Sequence, residues 1–347
     1  MKRTLVPHFD TAPMAPALGS VVHTLAGLTM GTSWAVKIVA DAARALAPLQ
    51  QAIQHELDLV VAQMSTWERD SHLSLFNQAA VGSWQTLPVE FFTVLEYALQ
   101  VARDSDGAYD PTAGALVNLW GFGPAKAYNA PDFTPPNQRQ LETARNQCGW
   151  ERVWIDPATR RAQQPGDIYI DLSAIAKGFG VDQVARRLQQ LGFESFLVEV
   201  GGELRGQGVK PDGQPWWVAL EQPSPATLAS PNTPAADNAA SDLVAALHHW
   251  SVATSGDYRR YFKHDAMHYS HTIDPRSGMP VNHDLASVTV LHRECMAADA
   301  WSTALGVLGP EQGLALANTH HLCALFIRRC GDDFAETMSD AMKDLLS

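Results

Sequence analysis

Apolar side chains recur at helical spacing in some stretches of this chain and alternate with polar ones in others. Between Ala42 and Met64, the positions Leu46, Leu49, Ile53, Leu57, Val60 and Val61 share one face, which predicts a helix. Val89, Phe92, Val94, Leu95, Ala98, Leu99 and Ala102 predict a second over 88–105, stopped near Asp106-Gly107. Short helices are expected over 138–147 and 180–191, and the run from Cys295 to Gly309 reads as a helix of small residues. Strand patterns cover 21–40, as two strands meeting at Met30-Gly31-Thr32, and also 196–200 and 249–253. Segments 153–156 and 167–170 read as a hairpin. Strands that pair as hairpins, without strict alternation with helices, imply an α+β fold with mainly antiparallel sheet and packed helices.

The stretch from Ile170 to Asp182 reads as a strand turning tightly into a helix, with Ser173 as N-cap. Such a turn aims backbone N–H groups at one point and favours an anion there, and Lys177 adds a formal positive charge. The structural alternative is that Asp171 caps a turn and Lys177 points to water.

A net charge of −12 argues against a nucleic-acid partner, which needs a basic face. The four cysteines show no zinc spacing and no disulfide framework, so they read as mostly buried thiols. No apolar run is long enough to span a membrane, and neither a signal peptide nor a lipidation cysteine is visible near the start. The expected location is cytoplasmic, or periplasmic had an export signal been removed. Residues 1–20 read as an N-terminal extension, 21–347 as a single domain, and 222–242 as a flexible proline-rich insert.

Several positions carry candidate chemistry. Trp67, in a loop after the first helix, offers an aromatic face, although a tryptophan is more often core. Asp110 precedes Pro111, so a rigid backbone presents its carboxylate; an ordinary Asp-Pro turn would look the same. His271 sits between a strand and an Asp-Pro turn, a place suited to a fixed imidazole, against the alternative of one structural histidine among thirteen. Asp299 and Thr303 are four apart on one helix face and could offer a carboxylate and a hydroxyl to one hard cation, or Asp299 could complement the helix dipole. Together these supply the inventory of a magnesium-assisted reaction at a phosphoanhydride.

The chain resembles the ApbE family of flavin transferases. The resemblance rests on Met30-Gly31-Thr32, Met64-Ser65-Thr66-Trp67, Tyr109-Asp110-Pro111-Thr112, the segment Asp171 to Gly178, and Val200-Gly201-Gly202. Ala253 to Tyr258, Ser270 to Pro275 and Ala298 to Ala304 complete it, all in the family's order over roughly residues 22 to 330. It implies an ApbE-like, T-fold-related architecture. It further implies FAD as substrate, Mg²⁺ on its pyrophosphate, and transfer of FMN to a Ser or Thr hydroxyl of an acceptor flavoprotein with release of AMP. By the family's pattern Ala174 (through its carbonyl), Asp299 and Thr303 would hold the metal. Met30, Trp67, Asp110, Asp171, Lys177 and Ile273, with the backbone of Ala108, Tyr109 and Asp110, would line FAD, and His271 would activate the acceptor hydroxyl. The same residues would serve a pyrophosphatase giving FMN and AMP, or a protein that binds FAD without turnover. Glu199 and Glu203 flank Gly201-Gly202 where a more neutral segment is expected, so acceptor recognition is expected to differ.

Overall fold

A computed structural model of the chain describes residues 3–9, 12–223, 242–258, 260–265, 267–331 and 333–346. Nearly all of the expected insert at 222–242 lies outside the described residues.

At the centre is an eight-stranded sheet. Its spatial order is Asp333–Met338, Cys323–Cys330, Leu285–His292, Trp250–Gly256, Glu203–Gln207, Phe196–Val200, Thr32–Asp41 and Ser20–Thr29. Every neighbouring pair is antiparallel, as expected. Side-chain alternation divides the two faces: Ala324 and Phe326 join the core beneath the helices, while Leu325 and Ile327 join a second core on the opposite face. Helices Ala47–Met64, Ala176–Gln190 and Cys295–Thr319 occupy the first face, and Val89–Asp104 packs outside them. Each large apolar side chain withdrawn from water in these layers contributes about 1.5–3 kcal/mol.

The second face is covered partly by the chain's own start. Arg3–Leu5, within the stretch read as an extension, pairs in parallel with Leu243–Leu247, which in turn pairs with Trp216–Ala219. Leu5 is fully buried and bridges to Leu346.

The structure departs from the sequence reading at the strand-to-helix stretch. Residues 167–170 form no hairpin strand; Tyr169 makes a single parallel bridge to Ala113, and the Asn77 side chain bonds both the amide and the carbonyl of Ile170. Segment Ile155–Asp156 pairs instead with Arg161–Gln163, which pairs with Trp84–Thr86. Ser173 is not an N-cap: residues 172–176 make a turn closed by Ile175 and Ala176 amides on the Leu172 carbonyl, and the helix starts at Ala176. Helix Cys295–Thr319 also runs past the expected end at Gly309, with a break there.

Candidate active site

A helix start leaves several N–H groups without partners in its own helix. Here two helix starts meet and satisfy one another. Gly178 N–H donates to Asp299 Oδ2 at 2.9 Å, while Cys295 and Met296 donate to Asp182 Oδ1 and Oδ2 at 3.1 and 2.9 Å. The approach requires Gly178, because a Cβ there would stand 2.3 Å from the Cys295 carbonyl oxygen. Two cations offset the buried carboxylates. Arg205 pairs with Asp182. Lys177 Nζ lies 2.6 Å from Glu203 Oε1 and 3.8 Å from Asp299 Oδ1.

Thr303 joins this centre through a chain of hydroxyls. Ser302 donates to the Asp299 carbonyl at 2.9 Å, Ser255 lies 2.8 Å from Ser302, and Thr303 lies 3.0 Å from Ser255. Each hydroxyl has one hydrogen, so once Ser302 spends its own on the carbonyl, Ser255 donates to Ser302 and Thr303 donates to Ser255. The Thr303 oxygen is left presenting lone pairs, which suits a cation ligand. Ala174 stands four residues before Gly178, in the turn that leads into the capped helix.

Two of the loops expected to hold FAD are tied to the segments of this centre. Asp171 donates its N–H to the Pro111 carbonyl at 2.8 Å, knitting its turn to the Asp110 segment, and its Oδ1 accepts the Ser173 N–H at 2.7 Å. The structural alternative therefore holds for Asp171 as a turn cap and fails for Lys177, which turns inward onto Glu203. Asp110 Oδ1 accepts from the Thr112 amide and hydroxyl at 2.7 and 2.6 Å, and burial pushes its carboxyl above the ordinary value. Neighbouring Ala108 and Tyr109 are almost fully buried. Burial, with Asp299, Asp171 and Asp110 nearby, holds the Tyr109 phenol well above its usual range, and its hydroxyl is buried without a hydrogen bond.

Met30 and Gly31 both have positive φ, 48° and 71°, and turn the hairpin between Ser20–Thr29 and Thr32–Asp41. The Met30 methyl reaches within 3.2 Å of where a Cβ on Gly180 would stand, which sets the hairpin tip on the capped helix. Trp67 is 61 % exposed on a loop ordered by its own and Glu68's amides donating to Ser65 Oγ.

His271 and Ile273 belong to a neighbouring aromatic region. The Ile273 side chain is buried in a core with Leu116, Trp120, Leu141 and Ala144. His271 packs edge-on against Phe122, and its Nδ1 lies 3.0 Å from the Arg260 carbonyl. A carbonyl only accepts, so Nδ1 carries a hydrogen. A cavity of about 510 Å³ opens beside Asp110, lined also by Gly107, Trp150, Arg145, Pro275 and Arg276; Lys177, Asp299, Thr303 and His271 are not among its lining residues.

Sequence reasoning gave no role to Ser255, Ser302, Asp182 or Arg205. Each lies inside or next to a quoted segment, but their partners are distant in sequence and no spacing links them. Glu203 was singled out for its charge; its carboxylate, 2 % exposed, faces Lys177.

Comparison with known proteins bears directly on this arrangement. The ApbE family profile matches residues 30–326. This chain belongs to the ApbE family. It is 40 % identical over 327 residues to a Vibrio cholerae protein named FAD:protein FMN transferase, covering 94 % of this chain and 93 % of the relative. An Escherichia coli protein of the same name is 34 % identical, with 94 % and 89 % covered. The solved apo form of the Pseudomonas stutzeri flavinyl transferase ApbE superposes with a TM-score of 0.81 at 37 % identity, covering 94 % of this chain and 97 % of that one. The Vibrio cholerae flavin transferase ApbE gives 0.80, with 94 % and 99 % covered. These ApbE relatives are transferase enzymes by name, and their fold is the α+β architecture described above.

Proposed function

We propose that this chain transfers FMN from FAD to a Ser or Thr hydroxyl of an acceptor protein, releasing AMP, with Mg²⁺ as the metal. The observation that supports the reading is the approach of Lys177 Nζ to Asp299 Oδ1 at 3.8 Å at the start of helix Ala176–Gln190, with Thr303 one helical turn beyond Asp299.

The donor set fits magnesium. Asp299, the Thr303 hydroxyl and the Ala174 carbonyl are hard oxygen donors, and among the described residues no group of three or more His, Cys, Asp and Glu side chains forms a metal cage. Mg²⁺ characteristically takes one or two carboxylates and completes its shell with water and substrate phosphate. When bound, it would draw charge from the anhydride oxygens. Asp299 is held in place by the Gly178 amide on one oxygen, so its other oxygen is directed rather than free to rotate. Lys177 adds positive charge beside the diphosphate, and Glu203 fixes its ammonium. His271 Nε2 takes the acceptor hydroxyl's proton, a role typically worth about 10²- to 10⁴-fold. The exposed Trp67 indole offers a stacking face to an aromatic ring of FAD.

The test incubates the protein with FAD, Mg²⁺ and candidate acceptor proteins and follows AMP release and a flavin mass adduct. The expected result is both together, abolished by chelation and by His271→Ala. AMP and FMN without an adduct would mark a pyrophosphatase, and binding without AMP a non-catalytic FAD protein. Either would overturn the transferase reading.

A further inference from the structure

Helix Cys295–Thr319 breaks at Gly309, where φ is 78° and ψ −177°, and Pro310 follows. Proline has no N–H, so the Gly306 carbonyl, which would accept from residue 310 in an unbroken helix, needs another donor. His283 supplies it, with Nε2 2.9 Å from the Gly306 oxygen. Because a carbonyl only accepts, Nε2 carries the hydrogen. The same ring lies over the break: a Cβ at Gly309 would stand 3.1 Å from His283 Cδ2. Nδ1 is buried without a hydrogen bond, so the imidazole is held there by the helix break rather than by a second polar partner.

What the contact joins gives it meaning. Gly306 is three residues beyond Thr303 on the helix that carries Asp299. On the other side, Val281 donates its N–H to the Thr272 carbonyl at 2.9 Å, and Thr272 follows His271. A short path therefore leads from His271 through Thr272, Val281, His283 and Gly306 to Thr303.

We infer that His283 is a positioning residue, pinning the end of the Asp299–Thr303 helical segment to the segment that carries His271. It thereby fixes the proposed base relative to the proposed metal ligands. The inference rests on the reading given under Proposed function. Misplacement by about 1 Å can cost on the order of 10²-fold in rate, so a lost pin acts on turnover before it acts on FAD binding.

Three variants test it: His283→Ala; His283→Gln, which keeps an N–H donor; and His283→Ala combined with Pro310→Ala, which returns a backbone donor to Gly306 within the helix. At saturating FAD and Mg²⁺, His283→Ala is expected to lower kcat for FMN transfer at least about tenfold, with FAD affinity within about twofold. His283→Gln is expected to recover most of kcat. The double variant is expected to recover thermal stability without kcat, because the helix then bonds to itself and not to the His271 segment. Unchanged kcat in His283→Ala, or kcat returning with stability in the double variant, would reduce His283 to a structural donor and overturn the proposal. A readout independent of turnover separates this from failure of the transferase reading: Mn²⁺ broadening of the His271 imidazole resonances. The expectation is broadening in the wild type, altered by His283→Ala and restored by His283→Gln, even were no FMN transferred. No broadening in the wild type, or broadening indifferent to His283, would sink the inference.

Discussion

Asp182 and Asp299 sit on two different helices, and each caps the start of the helix that carries the other. Asp299, whose spacing to Thr303 makes it a candidate metal ligand, is therefore also part of the scaffold, and substitutions can separate the two duties. Asp299→Asn keeps an amide oxygen for the Gly178 N–H and should leave stability near wild type. It removes the charge a divalent cation needs, so metal-dependent FMN transfer should fall by at least about 10²-fold, several kcal/mol of transition-state stabilisation. Asp299→Ala loses both and should cost an additional ~0.5–2 kcal/mol in denaturant unfolding. Equal activity in Asp299→Asn and wild type would end the metal-ligand assignment.

Asp182 has the complementary duty without the metal. It is 1 % exposed and holds Arg205 as well as two amides. Asp182→Ala leaves a largely buried guanidinium without its carboxylate and should destabilise by about 3–5 kcal/mol. Asp182→Asn should fall between, keeping one acceptor and losing the charge. Guanidinium titrations of the three proteins, compared at constant slope, give the order.

The capping pair also shows what the sequence could and could not reveal. Helices Ala47–Met64 and Val89–Asp104 were legible because each buries one stripe and leaves the rest polar. The Met30-Gly31 turn was legible because a glycine punctuates two alternating runs. Strands Leu285–His292 and Cys323–Cys330 are flanked by strands on both sides and are buried on both faces for much of their length, so alternation disappears and no strand pattern marks them. Ser173 has the chemistry of an N-cap, yet Asp171 takes its amide and the true cap comes from Asp299, 121 residues beyond the Gly178 amide that it accepts. At the candidate site, local spacing singled out Asp299, Thr303 and Lys177, and the resemblance added Ala174 and the loops expected to line FAD. Glu203, Ser255 and Asp182 act through long-range partners, which local spacing does not encode.

Glycine positions within the two helices make a paired test of the close approach. Gly178→Ala would place a methyl 2.3 Å from the Cys295 oxygen and 2.8 Å from Asp299 Cβ, both on a rigid helix. Separation of the helices should cost about 1–3 kcal/mol or more and loosen the Asp299 cap. Gly306→Ala meets nothing within 4 Å and should be neutral or stabilising by up to about 1 kcal/mol. Thermal unfolding of both variants decides whether the crossing is as tight as described.

Trp67 offers the opposite profile, a large side chain with little to hold it. Trp67→Ala should leave stability within about 0.5 kcal/mol, since 61 % of the indole is already exposed. Lost stacking should weaken FAD binding by about 1–3 kcal/mol, roughly 5- to 150-fold. Titration of FAD against flavin fluorescence measures it, and unchanged affinity would remove Trp67 from the FAD site.

Asp110 gives a pH signature whose sign follows from its burial. In the unfolded chain its carboxyl has the ordinary value near 3.9, and in the folded protein burial raises it, despite the Thr112 hydrogen bonds that favour the charge. Between those two values the folded protein holds a proton that the unfolded chain has lost. The resulting stabilisation is complete below the unfolded value and disappears as pH rises through the folded one. At neutral pH the buried carboxylate is therefore a liability. Asp110→Asn keeps an oxygen for the Thr112 amide and removes the charge, so it should flatten the stability profile in the interval directly above pH ~4. At pH 7 it should be neutral or stabilising. Urea unfolding of both proteins from pH 4 to 7.5 tests this; a variant weaker at pH 7 with the wild-type acid slope would mean that Asp110 is ionised and favourably paired in the folded state.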